Sequence, residues 1–236
     1  MKKVFFALIL NLFFINISWG DNIKEYEKTC RDFIVEPEVD FEYSYGRLRY
    51  RFDKPRESIR KIMQRKGVTA NCFDGHCDVN GVTLSDVAFM FDIDIGVTDI
   101  NRQYVCVYPE KFNVFLGYEH PVIFVAQELK KGTCAYDLTL RHEKTHMQIY
   151  LEGLDYFLPQ FKQYLDGLYD EIGVRIVKKD DVESALKSLS EAYHMSSKQK
   201  FDDWYAEIEK EQRKQDSNNH YYLETAICEA LKNKYK

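Results

Sequence analysis

Cys134-Ala-Tyr-Asp-Leu-Thr-Leu-Arg-His-Glu-Lys-Thr-His-Met-Gln-Ile-Tyr-Leu-Glu152 is the stretch on which the reading of this chain turns. It holds no glycine or proline, and Leu138, Ile149, Tyr150, Leu154, Phe157 and Leu158 recur at helical intervals through and beyond it, which predicts a long helix. Inside that helix His142 and His146 stand four positions apart, about 40° round the axis, so both imidazoles leave one face and can hold the same metal ion. Glu143 lies about 100° round from His142, where its carboxylate reaches a water on that ion without having to ligate. These residue types suit hydrolysis at a zinc ion. The metal brings the pKa of its water toward about 7 and polarises a carbonyl, while Glu143 acts as general base and returns the proton to a leaving amine. With this composition, H-E-x-x-H arises by chance in roughly one sequence in a hundred.

Downstream, Pro159 is expected to kink or restart the helix, and Asp170 to Lys179, with Gly173, reads as a connection. Asp181 to Gln215 has no proline or glycine and alternates charge through Glu207, Glu209, Lys210, Glu211, Arg213 and Lys214, so a second long helix with one solvated face is predicted. Upstream, the runs Val82 to Ile95, Gln103 to Tyr118 and Pro121 to Val125 are rich in β-branched and aromatic residues and read as strands. Arg56 to Lys66 places Ile59, Ile62 and Met63 at helical spacing behind Pro55, and Asp40 to Arg51 reads as an aromatic-rich strand bent at Gly46. The expected fold class is α+β: a β-rich N-terminal half with a twisted, mainly antiparallel sheet, followed by two long helices. An edge of that sheet, within Pro121 to Val125, is expected to accept an extended peptide as an added strand.

The N-terminus reads as an address. Lys2 and Lys3 precede a mostly apolar run from Val4 to Ile17, and Ser18-Trp19-Gly20 places small residues before Asp21, the pattern of a signal peptide cleaved after Gly20. The expected organisation is a signal peptide over 1–20 and a single domain over 21–236, β-rich to residue 130 and helical from 131. Export to the periplasm or medium follows, with no stable membrane insertion after cleavage. Lys plus Arg number 33 against 38 Asp plus Glu, and loss of Lys2 and Lys3 takes the net charge to about −7, which with no basic stripe excludes nucleic acid as a partner. All six cysteines lie beyond residue 20, as expected of disulfides in an oxidising compartment. The expected pairs are Cys72–Cys77, Cys106–Cys134 and Cys30–Cys228. The rival reading of Cys72, His76 and Cys77 as a structural zinc site lacks a second ligand pair.

The third ligand is not local. Glu152 follows His146 by six residues, but Ile149 stands where a sharp turn needs glycine, and on a continuing helix Glu152 points about 240° away. Distant candidates include Asp170, Glu171, Glu183, Glu191, His194, Asp216, His220 and Glu224.

Through His142, Glu143 and His146 the chain resembles the zincin metallopeptidases. Cys134, eight residues before the motif, and the later run Gln212-Arg-Lys-Gln-Asp-Ser-Asn-Asn-His220 are similar to a family of exported, protease-like bacterial proteins, over roughly Cys134 to Glu224. That pattern sets an Asp and a His at the end of a long charged helix. Here the gap between them is one residue shorter, and Tyr221 stands at the expected glycine. The resemblance implies a zincin-like domain with one zinc per chain. It makes His220 the first choice as third ligand, Glu191 the second, and Asp216 an alternative or a supporting partner. Tyr221, Tyr222 and His194 are candidate oxyanion donors.

The expected function is an exported zinc metallopeptidase acting on a peptide or protein substrate, cell-wall peptide included. The alternative is a non-catalytic envelope protein that binds a partner on a zincin-like scaffold.

Overall fold

The computed structural model describes residues 18–67, 79–217, 226–228 and 230. In chain order the elements are α1 (Ser18–Phe33), β1 (Glu38–Ser44), β2 (Arg49–Arg51), α2 (Arg56–Arg65), β3 (Gly81–Asp99), β4 (Tyr104–Val125), α3 (Cys134–Ile172), β5 (Arg175–Lys178) and α4 (Val182–Gln215). Helix and strand are mixed, with a sheet and two long helices. Most of the predicted leader lies outside the described residues, and among the described residues no helix is long and apolar enough to cross a membrane.

The sheet corrects one expectation. All four other strands among the described residues pair with β4, and β2 runs parallel to it, Arg49 facing Val122 and Arg51 facing Phe124, a parallel pairing that the expected mainly antiparallel sheet did not contain. A tight hairpin forces antiparallel pairing, but the long chain between β2 and β4 carries α2 and β3, ample for the crossover that parallel strands need. The β4–β5 pairing is antiparallel, Tyr104 facing Lys178 and Val107 facing Arg175. Pro121–Val125 is the end of β4 rather than a separate strand, and β2 pairs along one side of it. His120 takes φ 51° inside β4, and Gly46 (φ 66°) abuts the same distortion, where a Cβ would meet Tyr118 O at 2.5 Å and Pro121 Cδ at 2.6 Å.

Other expectations shift too. Helix α3 runs unbroken through Pro159, since the fully buried Leu154, Phe161 and Leu165 hold its turns on both sides of the missing hydrogen bond. The connection after α3 contains β5, too short for its periodicity to register. Helix α1 was not anticipated at all. The disulfides are Cys30–Cys106 and Cys134–Cys228, not Cys106–Cys134 and Cys30–Cys228. Connectivity depends on which Cα atoms come to about 5.5–6 Å, which spacing along the chain does not encode. Cys72 and Cys77 lie outside the described residues.

The chain divides into two compact units. One comprises residues up to Asp40, Asp92–Asn113 and Asp166–Ser196. Its core is almost wholly apolar, with Val107, Phe112, Leu189 and Tyr193 buried and the Cys30–Cys106 disulfide fastening α1 to β4. The other comprises Phe41–Phe91, Val114–Leu165 and the chain from Ser197 on. There α2 seats Ile59 and Met63 against Val82, Phe124 and Ala126, and Glu128 caps its start by accepting the Arg56 backbone N–H. In the same unit α3 and α4 meet where α3 offers Gly153. A Cβ at that position would lie 1.9 Å from Ile208 Cδ1, and the carbonyl accepts the Trp204 indole N–H at 3.1 Å. Phe157 stacks on Trp204 beside it with ring centroids 4.5 Å apart.

Candidate metal centre

The packing of α3 on α4 continues into the H-E-x-x-H turn. Trp204, Ile208 and Gln212 recur every four residues along α4, and the Asp216 backbone N–H bonds to Gln212 O, which carries the same stripe one residue past the helix end. His142 and His146 occupy the matching stripe of α3, so the polar end of one helix meets the polar end of the other.

Three donor atoms converge there. The Nε2 atoms of His142 and His146 are 3.0 Å apart, and Asp216 Oδ1 lies 3.1 Å from the first and 2.9 Å from the second. Three ligands of a tetrahedral zinc, each about 2.0–2.1 Å from the ion, are separated by about 3.3 Å, so this triangle is close to the required size. The donor set also fits: two imidazole nitrogens with one carboxylate oxygen is a combination zinc accepts, and three protein ligands is the number a catalytic site uses. His142, His146 and Asp216 form a group that could hold a metal ion, and no other such group occurs among the described residues.

Each imidazole has a partner on its far side. His146 Nδ1 meets Gln212 Oε1, while Gln212 Nε2 donates to the His146 backbone carbonyl at 3.0 Å. His142 Nδ1 faces the Gln215 amide at 3.3 Å. Glu143 is 6% exposed and turns toward β3, where the Thr83 hydroxyl lies 2.8 Å from its carboxylate and 2.7 Å from its backbone carbonyl. Gly81 makes room for it, since a Cβ there would sit 2.8 Å from Glu143 Oε1.

The electrostatics follow from this crowding. Burial pushes the Glu143 carboxyl above its ordinary value, only partly opposed by the neighbouring imidazoles and the Thr83 bond. Burial alone would lower His142 and His146, but their bonds to Asp216 together with the negative charges of Asp216 and Glu143 outweigh it and both end raised. For Asp216 burial works upward, yet the two histidines hold the carboxyl well below the usual carboxylate range. A cluster that so strongly favours a carboxylate between two nitrogen donors is also suited to a cation.

Of the remaining sequence candidates, His220, Tyr221 and Tyr222 lie outside the described residues. Glu191 is exposed and pairs with Lys187 at 3.9 Å, and His194 is exposed; both belong to the first unit, whereas the donor triangle lies in the second. A groove of about 550 Å³ along the α3–α4 seam is lined by Ile149, Gly153, Phe157, Trp204 and Ile208 among others, and by none of the three donor residues. Sequence reasoning missed Gln212, Gln215 and Thr83. The first was detectable as the polar continuation of the Trp204–Ile208 stripe, whereas Thr83 sits on a strand far away in sequence with no local mark. No protein-family model, curated protein or solved structure matches this chain.

Proposed function

We propose that the chain is an exported zinc-dependent peptidase in which His142, His146 and Asp216 hold the ion and Glu143 is the general base. The observation that carries this reading is the convergence of three ligand-type atoms to within about 3 Å, next to a buried glutamate in the H-E-x-x-H register. A zinc ion bound there supplies a Lewis acid that lowers the pKa of water and polarises a scissile carbonyl. Glu143, held by Thr83 and raised by burial, would accept a proton from the attacking water and give it back to the leaving amine. The cysteine usage and the two disulfides support export, and the substrate class is peptide or protein.

The test is metal content of the purified, oxidised protein. Wild type should carry about one zinc per chain, lost in His142→Ala and in Asp216→Ala. His220→Ala should retain it; loss there as well would indicate a closed four-ligand site, which is structural. Glu143→Gln should keep the zinc and lose peptide hydrolysis by about 10²–10⁴-fold. Wild type that binds no zinc after reconstitution overturns the reading. A zinc-loaded protein that cleaves no peptide in a broad library would favour the non-catalytic envelope protein.

A further inference from the structure

We infer that Gln212 is a positioning residue for the metal centre, fixing both the tautomer and the angle of the His146 ring; this rests on the metal reading above. Two hydrogen bonds carry the inference. The amide oxygen of Gln212 accepts from His146 Nδ1, and its amide nitrogen donates to the carbonyl of the same histidine at 3.0 Å. One side chain on α4 therefore grips both the ring and the backbone of one residue on α3. Gln212 is 7% exposed and stands four residues before Asp216 on the same stripe, so the element that brings the third donor also orients the second.

The chemistry gives that grip a consequence. A neutral imidazole carries one proton, and it ligates only through the nitrogen that lacks it. An acceptor held against Nδ1 keeps the proton there and leaves the Nε2 lone pair directed at His142 Nε2 and Asp216 Oδ1. The bond to the His146 carbonyl fixes the amide orientation, since the nitrogen can donate to that carbonyl only when the oxygen faces the ring. A burial role alone would need neither the oxygen nor its direction. An amide in place of a carboxylate adds no charge to a cluster that already contains Asp216 and Glu143, so the ion meets two carboxylates rather than three.

The experiment measures zinc affinity of the full, oxidised chain by competition with a chromophoric chelator, with far-UV circular dichroism as the check on folding. Gln212→Met keeps the volume and removes both hydrogen bonds, and should bind zinc about 10–100-fold more weakly. Gln212→Glu restores an acceptor for the Nδ1 proton and should return affinity to within about threefold of wild type. A folded Gln212→Met protein with wild-type affinity overturns the inference, as does equal weakening in both variants, which would mean that only packing matters. If Gln212→Met does not fold, Gln212→Glu decides alone, and a loss above about tenfold in a folded protein counts against the inference. Failure of the metal reading looks different: wild type itself then binds no zinc.

Discussion

The two ends of the α3–α4 seam within the second unit are built on the same spacing from opposite materials. At one end Phe157, Gly153, Trp204 and Ile208 interlock as an apolar contact, with Trp204 stacked on Phe157 and bonded to Gly153 O. At the other, His142, His146, Gln212 and Asp216 continue the same stripes with polar side chains. Burying polar groups yields less stability than burying apolar ones, and each must find a partner. The apolar end thus anchors the helices, and the polar end uses the rigidity so obtained to hold donor atoms in place. A seam built for stability alone would have no reason to change character at Gln212.

The largest test of this division falls on the anchor. Trp204→Ala should lower the unfolding free energy by about 3–5 kcal/mol, measured in urea, because it removes a buried indole together with its stacking and its hydrogen bond. A loss below about 1 kcal/mol would mean that the apolar end is not the anchor. Next in size is the disulfide at the polar end. Cys134 opens α3 two turns before His142, and its bond to Cys228 closes a separation of 94 residues that contains the three donor residues, Glu143 and Gln212. The pair Cys134→Ser and Cys228→Ser should cost about 2–5 kcal/mol and weaken zinc binding, since the polar end then loses its covalent tie. Stability lost with unchanged zinc affinity would show that the donors are held by the helix packing alone.

The smallest effect is expected at Tyr45, whose hydroxyl donates to Asp155 on the exposed side of α3. That bond, with Asp155 nearby, pushes the phenol up to about 12. A raised phenol stabilises the fold fully below its unfolded value near 10, and the contribution disappears as pH climbs from there through about 12. The difference in unfolding free energy between wild type and Tyr45→Phe should therefore be small at pH 8 and shrink to nothing above pH 12, read from denaturant curves. A gap that persists there would show that Asp155 is not the partner.

Much of the α-helical framework was legible because it is local. The α2 and α4 boundaries fall within a residue or two of those expected, and His142, Glu143 and His146 take the relative positions that 3.6 residues per turn requires. The reading failed where distant parts of the chain choose each other. Gln103–Tyr118 and Pro121–Val125 are one strand because β2 pairs across the second run, and its parallel direction comes from a crossover that no local pattern records. The two described disulfides differ from those expected for the same reason. Asp216, expected after His220 and Glu191, is brought within 3.1 Å of both histidines, whereas Glu191 belongs to the other unit and His220 lies outside the described residues.

By itself, the sequence determined that a long helix presents two imidazoles and a carboxylate in metal-binding register, because helix geometry is set by bonds between near neighbours. The tertiary structure alone decided which acid completes the triangle, which strand cradles Glu143 and which amide holds His146. Those choices follow from how α3, α4 and β3 bury their faces, a many-body packing outcome that separation along the chain does not contain.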